Sequence, residues 1–233
     1  MPTVISNTEV AGNIWLLTVE GEFSGGMGQF YMLRAWKNDP LLSRPLSIFN
    51  IKPGMIQFLY KVRGKGTMRL ARLKPGDSIG LEGPFGNGFP NLKGKIALVG
   101  GGVGIAPFYY AAKQLPAADV YLGFSHEPYL VDEFRRAARR VIPKFGLSLV
   151  NDLEIGLYDA IFACGPNAMM RALAQKAEHT GTAVYVSLEK HMACGIGACL
   201  VCSVVCKEGN RKACADGPVF LAREVNFDAE YGL

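Results

Sequence analysis

No run of about 20 apolar residues occurs anywhere in the 233-residue chain, so no segment of it reads as a bilayer-crossing helix. A basic stripe is missing too. The 25 Lys and Arg are scattered among 20 Asp and Glu, leaving a net charge of only +5, which argues against the electrostatic footprint of a nucleic-acid binder. Charged residues make up 19% of the chain against 49% hydrophobic. That is a globular composition, and the length suits two domains, or two with a small appendage. Neither an internal repeat nor a low-complexity segment is present. Histidine is scarce: His126, His179 and His191 are the only ones, and His126 and His179 read as surface residues.

Cysteine is the exception to this plainness. Cys194-Gly195-Ile196-Gly197-Ala198-Cys199-Leu200-Val201-Cys202 is followed after eleven further residues by Cys214. The order Cys-x4-Cys-x2-Cys…Cys is the plant-type spacing for one [2Fe–2S] cluster. Its glycines and the small Ala198 let a loop curl and turn N–H groups toward the sulfurs. A disulfide knot and a structural zinc site are the bland alternatives, but zinc sites pair Cys-x2-Cys with a second such pair or with two His. Here the second half is a lone Cys214 with His191 nearby. A Rieske-type centre needs two His on one iron, and no second His is close in sequence. Cys206 lies in the same region, and the spacing argues against its being a ligand. Met1 to Ser6 carry neither the basic nor the apolar stretch of a secretory signal, and a cluster needs reduced thiols, so the expected compartment is the cytoplasm.

Residues 1 to about 90 read as β structure. Ile14–Val19, Met55–Tyr60 and Ser78–Leu81 are short apolar stretches separated by turns such as Lys74-Pro75-Gly76-Asp77, a spacing that suggests an antiparallel barrel. From Lys95 the pattern changes. Strands are expected at 95–99, 119–124, 147–150, 159–164 and 183–186, with helices over 108–115 and 168–174, and such alternation means a parallel sheet with crossover connections.

Three further motifs carry chemistry. Gly100 to Gly104 lie between a strand and a helix with Pro107 in its first turn, so the backbone can approach a pyrophosphate at a helix N-terminus; a plain tight turn is the other reading. Cys164-Gly165-Pro166 ends a strand on the side where open α/β sheets bind ligands, so the thiol either touches a nicotinamide ring or is a small buried hydrophobe. Arg44-Pro45-Leu46-Ser47, with Gly64-Lys65-Gly66-Thr67 downstream, offers a guanidinium and a hydroxyl suited to a pyrophosphate, and a Ser hydroxyl suited to a flavin ring nitrogen. Singly, these are ordinary surface and turn residues.

In this order the motifs are similar to those of the ferredoxin reductase superfamily. More closely, the chain resembles the electron-transfer subunits of class B dihydroorotate dehydrogenases. The resemblance covers nearly the whole chain, and Arg44–Ile48, Gly83–Phe89, Gly100–Pro107, Ser187–Cys199 and Cys214–Phe220 are its most specific parts. It implies an α+β multidomain chain with an antiparallel β-barrel FAD domain over 1–91, an α/β parallel-sheet NAD domain over 92–187 and a small C-terminal [2Fe–2S] domain over 188–233. It further implies that Arg44, Pro45, Leu46 and Ser47 line FAD, with Leu59, Tyr60, Lys61, Gly66 and Thr67. Gly101, Gly102 and Gly104 meet NAD, and Ser47 and Cys164 sit at the reacting ring. Cys194, Cys199, Cys202 and Cys214 hold the cluster.

The family often has Arg after Gly-Phe on the second α/β strand, where this chain has Ser125-His126-Glu127, and without a partner for a 2′-phosphate NAD is favoured over NADP. The implied partner is an FMN-containing dihydroorotate dehydrogenase catalytic subunit, in a heterotetramer of two of each, with no nucleic acid and no membrane involved. Two other functions compete: a diaphorase-type subunit of a ferredoxin:NAD(P) transhydrogenase or hydrogenase, and a non-enzymatic cluster redox sensor. One pattern among the former replaces a cluster Cys by Asp, whereas all four are Cys here. A sensor needs neither the flavin nor the nicotinamide motifs.

Overall fold

The structure, a computed structural model, describes residues 1–145 and 148–229. The first sheet contains β1 (Thr3–Ala11), β2 (Ile14–Glu20), β3 (Phe30–Arg34), β4 (Arg44–Lys52) and β5 (Met55–Lys61), then, after the short helix α1 (Lys65–Leu70), β6 (Gly80–Phe85). Its order is β1-β2-β5-β4-β3-β6, and its pairings are antiparallel. The two ends meet: Val4 N–H donates to Asp77 O at 2.9 Å, Gly76 N–H donates to Val4 O at 2.9 Å, and Thr3 bridges Ser78. Strand periodicity explains how this sheet serves two layers. In β5 the alternate residues Ile56, Phe58 and Tyr60 fill the sheet's own core, while Leu59 faces the second sheet. The turn expected at Lys74 is present, with Asp77 N–H on Lys74 O at 3.0 Å and Lys74 N–H on Asp77 Oδ2 at 2.8 Å.

The second half contains β7 (Ile96–Gly101), α2 (Ala106–Gln114), β8 (Asp119–Phe124), α3 (Val131–Ala137), β9 (Arg140–Phe145), α4 (Ser148–Asn151), β10 (Ala160–Cys164), α5 (Asn167–Ala177) and β11 (Ala183–Ser187). The hairpin β12 (Ser203–Cys206) and β13 (Gly209–Lys212) and the short β14 (Val219–Leu221) follow. The second sheet runs β14-β11-β10-β7-β8-β9. β7 and β10 are near-continuous apolar runs because both their faces are covered. Leu98, Phe162 and Cys164 point into a core shared with Phe49, Leu59 and Phe89 of the first half. Ala97, Val99, Ile161 and Ala163 point into another, shared with Phe30 and Met32 of the first half and Cys202 and Cys214 of the last segment. The halves are joined by stacked Phe49 and Tyr109, with centroids 4.7 Å apart, and by Lys113 Nζ, which donates to the buried Asn50 Oδ1 at 2.9 Å.

The expected strand at 147–150 is not found: Leu147 lies outside the described residues, and Ser148–Asn151 form a helical turn that puts Leu149 in the core. The strand lies earlier, at β9, where Arg140, Pro143 and Lys144 on a sheet edge hide it from an apolar-run criterion. The second sheet is also mixed rather than wholly parallel. β14 pairs antiparallel with β11, through Tyr185 with Leu221 and Ser187 with Val219.

Candidate functional site

Arg44 and Ser47 lie on β4, beside the turn that begins α1. The Arg44 guanidinium lies over Trp36, 5.5 Å from the ring centroid, and so close to Gly66 that a Cβ there would stand 2.3 Å from Arg44 Nε. Burial lowers the Arg44 pKa, yet an Arg remains charged. Thr67 Oγ1 accepts from the N–H of Arg63 at 2.9 Å and of Gly64 at 3.2 Å, and it donates to Gly64 O at 3.0 Å. Arg44 and the distant Gly66-Thr67 pair thus form one cationic corner. Leu59 is buried toward the second sheet and Lys61 is exposed. Tyr60 turns its ring into the core and its hydroxyl to Asn7 Oδ1 at 3.1 Å, with its pKa raised by burial. Only its main chain is left for a ligand.

Across the crevice, β7 leads on to β8 and β9 on one side of the second sheet, while β10 and β11 lie on the other. The boundary between β7 and β10 is therefore a topological switch point, where open α/β sheets bind ligands beyond their carboxyl ends. Cys164 is paired in register with Gly100 on one side and Ser187 on the other. A Cβ on Gly104 would meet Cys164 O at 2.4 Å, and one on Gly165 would meet Gly101 O at 2.8 Å, so the two motifs interlock through bare backbone. Pro107 stands in the first turn of α2. Burial first, and then the nearby Glu189 carboxylate, push the Cys164 thiol well up, against the Ser187 hydroxyl. Cys164 is therefore a neutral thiol at physiological pH, unsuited to act as a nucleophile. Desolvation raises the Glu189 carboxyl and Arg63 opposes it, although more than a third of this side chain still meets solvent.

In the last segment, the left-handed backbone of Gly195 (φ +73°) and Gly197 (φ +82°) curls the loop. Amides of Ile196 and Cys199 first, then the Cys199 thiol and the Ala198 amide, pull the half-buried Cys194 thiol down to about 6. Gly197 N–H donates to Cys214 Sγ at 3.1 Å, Cys202 Sγ lies 3.2 Å from Cys214 Sγ, and Cys214 N–H donates to Cys202 Sγ at 3.4 Å. Burial, followed by contact with Cys202, pushes Cys214 up to about 12. The sulfurs stand as two pairs, Cys194 with Cys199 and Cys202 with Cys214. Among the described residues no three metal-ligating side chains converge on a single point. Two pairs of thiols with amides aimed at sulfur could hold two irons. Cys206 is buried in β12, in the core behind the loop.

Antiparallel register brings this loop to the first sheet. Phe30 is opposite Ser47 on one side and opposite Phe85 on the other, and residues directly opposed share a face. The loop rests on this row: a Cβ on Gly195 would stand 3.4 Å from Phe85 Cε2 and 3.3 Å from Met32 Cγ. Sequence reasoning did not single out Glu189 and Arg63, whose charges act on each other, or Asn87, which binds the segment after Cys214. Each is a lone polar residue with no spacing to mark it; Glu189 could be noticed only as part of the Ser187–Cys199 stretch and Asn87 only as part of Gly83–Phe89.

An antiparallel sheet carrying Arg-x-x-Ser, followed by a mostly parallel sheet with a glycine turn at its switch point, defines a ferredoxin–NADP reductase-like protein. The solved structure of an NADH-dependent reduced ferredoxin–NADP oxidoreductase superposes with TM-score 0.87 at 30% identity, covering 98% of this chain and 90% of that one. A Plasmodium falciparum ferredoxin–NADP+ reductase shares the fold at TM-score 0.63 and 15% identity, over 79% of this chain and 94% of that one. Residues 189–226 match the family described as the iron–sulfur cluster binding domain of dihydroorotate dehydrogenase B. Among curated proteins, the dihydroorotate dehydrogenase B (NAD(+)) electron transfer subunit of Clostridium acetobutylicum is 43% identical over 95% of both chains. That of Caldanaerobacter subterraneus subsp. tengcongensis is 39% identical over 96% of this chain and 97% of its own. The chain belongs to the family of dihydroorotate dehydrogenase B electron transfer subunits.

Proposed function

We propose that this chain is the electron-transfer subunit of an NAD-linked dihydroorotate dehydrogenase in pyrimidine biosynthesis. It connects an FMN-containing catalytic subunit, through [2Fe–2S] and FAD, to NAD+. In this reading residues 1–91 form an FAD-binding barrel, 92–187 bind NAD and 188–233 carry the cluster. FAD, when bound, supplies the exchange between the hydride of nicotinamide and the single electrons of an iron–sulfur cluster. Arg44, Gly66 and Thr67 hold its phosphates, with the main chain of Leu59 to Lys61 alongside, and Pro45, Leu46 and Ser47 face the ring. Gly101, Gly102 and Gly104 admit the dinucleotide. Cys164 presents an uncharged thiol at the nicotinamide, and Glu189 holds a proton or a charge at the crevice rim. Cys194, Cys199, Cys202 and Cys214 would hold the irons of the cluster.

The observation that carries this reading is the row Ser47–Phe30–Phe85 with the Gly195 loop upon it: the cysteine loop packs on β3 and β6, and β3 pairs directly with the strand that bears the proposed flavin motif. A partner is supported by exposed apolar side chains around the exposed Cys199, namely Ile196 (67%), Leu200 (63%) and Val201 (52%), because such a patch marks an interaction site. No helix among the described residues is long and apolar enough to cross a membrane. In this reading the chain works in the cytoplasm, in a heterotetramer of two of each subunit. The test is to purify the chain and measure FAD, iron and sulfide, then add NADH, and separately add dihydroorotate with the FMN subunit. Both additions should bleach the flavin and cluster absorbance. Failure with dihydroorotate alone would shift the assignment to a diaphorase-type subunit of a ferredoxin:NAD(P) transhydrogenase, a reading that the 30%-identical oxidoreductase structure favours and that four intact cysteines weigh against. A flavin untouched by NADH would refute both.

A further inference from the structure

The segment that follows Cys214 is held from two sides. Asn87, two residues beyond β6, donates its main-chain N–H to Gly217 O at 2.6 Å, and its side-chain Nδ2 donates to Ala215 O at 3.1 Å and Asp216 O at 3.2 Å. From the second sheet, Leu188 N–H donates to Pro218 O at 2.9 Å. The platform under Asn87 is itself fixed, since Gly86 O accepts from Gln29 Nε2 at 2.7 Å. The approach is close enough that a Cβ on Gly86 would stand 2.7 Å from Gly217 O and 2.6 Å from Pro218 Cδ. All three bonds from Asn87 go to carbonyls one to three residues after a proposed ligand.

We propose that Asn87 is a positioning residue for the iron–sulfur site: its amide locks the carbonyls after Cys214 to the end of β6, fixing that sulfur relative to the strand row that carries Ser47. The proposal rests on the reading of Cys214 as a ligand. An amide is the group the geometry calls for, because one NH2 supplies two donors, one per carbonyl. Aspartate has the same volume but would set lone pairs against lone pairs. Asn87 is exposed, so exchanging it does not excavate the core, and its main-chain bond survives any substitution except proline.

The test uses the full chain carrying FAD and iron, together with its iron-free form, in Asn87→Asp, Asn87→Leu and Asn87→Gln variants. In the iron-free form, deuterium exchange is read at the amides of Ala215, Asp216 and Gly217, all bonded to Lys212 O. Losing two side-chain bonds should speed their exchange about tenfold in the Asp and Leu variants. In the loaded form the same variants should lose cluster absorbance to a chelator about tenfold faster, with a changed electron paramagnetic resonance line shape and unchanged NADH reduction of the flavin. Asn87→Gln keeps both N–H donors and should recover at least about half of the effect on a logarithmic scale. Exchange and cluster loss within about twofold of the parent in both Asp and Leu variants would overturn the proposal, as would an equal slowing of flavin reduction, which would mean general loosening. If the parent chain held no iron, the ligand reading would fail, and the exchange measurement would still decide whether Asn87 holds the segment.

Discussion

Replacing Gly104 by Ala probes the joint between the glycine turn and β10. The new Cβ would stand 2.4 Å from Cys164 O, 2.6 Å from the Cys164 carbonyl carbon and 2.6 Å from Gly165 Cα. These are backbone atoms at the end of a strand held by β7 on one side and β11 on the other, so no side-chain rotation relieves the clash. Ordinary contact begins at 3.4 Å, which leaves a 1.0 Å shortfall at the carbonyl oxygen. Overpacking a core by a methylene costs typically about 1–3 kcal/mol. An immovable partner puts this site at the upper end, about 3 kcal/mol. For a chain of this size each kcal/mol lowers Tm by about 2–4 °C, so Gly104→Ala should lower it by about 6–12 °C. Gly102→Ala is the internal control: its Cβ meets nothing within 4 Å, but φ is +58°, so only the left-handed penalty of about 1–2 kcal/mol applies. Thermal unfolding of both variants without ligand, monitored by far-ultraviolet circular dichroism, decides the matter. A Gly104→Ala drop no larger than that of Gly102→Ala would refute the argument that backbone contact with β10 dictates Gly104.

Gly66→Ala would push the Arg44 guanidinium aside, since the Cβ would lie 2.3 Å from its Nε. The arm can swing, so stability should hold while FAD affinity falls about tenfold to a hundredfold, the worth of a charged hydrogen bond; an unchanged Kd in a flavin-fluorescence titration would remove Arg44 from the phosphates. Burial holds the folded pKa values of Cys164, Tyr60 and Tyr158 above the ordinary 9.0 and 10.0, so above those values the unfolded chain releases protons that the folded chain keeps. Stability should therefore be indifferent to these groups below about pH 9 and fall above it, by up to about 1.4 kcal/mol per pH unit for each group titrated in the unfolded chain. Urea midpoints that stay level from pH 8 to 10.5 would contradict this. Asp119→Ala removes a buried carboxylate that accepts from Tyr158 Oη at 2.9 Å and Arg139 at 2.9 Å. It should cost about 2 kcal/mol in urea unfolding without changing FAD or iron content, because Asp119 begins β8, at the end remote from the crevice; loss of either cofactor would sink that separation.

What could be read in advance was whatever sequence neighbours decide. The spacing of Cys194, Cys199 and Cys202 is a loop property, and so is the Gly100–Gly104 turn after an apolar strand. β7 and β10 were legible because strands covered on both faces become apolar runs. Where neighbours do not decide, the reading failed. Arg140–Phe145 is an edge strand with exposed ends and a central Pro143, while the apolar Leu149 and Val150 belong to a helical turn. α1 hid in a region read as β because it is six residues long and contains Gly66. β14 is three residues long, and its partner β11 is more than thirty residues upstream. The Asn87 contacts to Ala215 and Asp216 span 128 and 129 residues, so no local pattern announces them.

Electron tunnelling weakens steeply with separation, so a chain that moves single electrons must hold its donors and acceptors at fixed places, and the packing here does so by burial rather than by a linker. Phe30 and Met32 of the first sheet, Val99 and Val186 of the second, and Cys202, Val204 and Cys214 of the last segment belong to one core. β14 completes the second sheet, and Leu188 and Asn87 grip the same four-residue stretch from opposite sheets. A boundary at residue 188 therefore divides proposed duties, not folding units: the last segment lacks a core of its own, and cutting there would strand the buried faces of Val186, Phe220 and Val225. The apolar side chains left in solvent are on the opposite side of the cysteine loop, at Ile196, Leu200 and Val201. The inner side of that loop packs on the first sheet, where the flavin is proposed to bind, and the outer side is the face proposed for a partner. This two-sided commitment explains why a short cysteine loop is built into a reductase fold instead of being tethered to it.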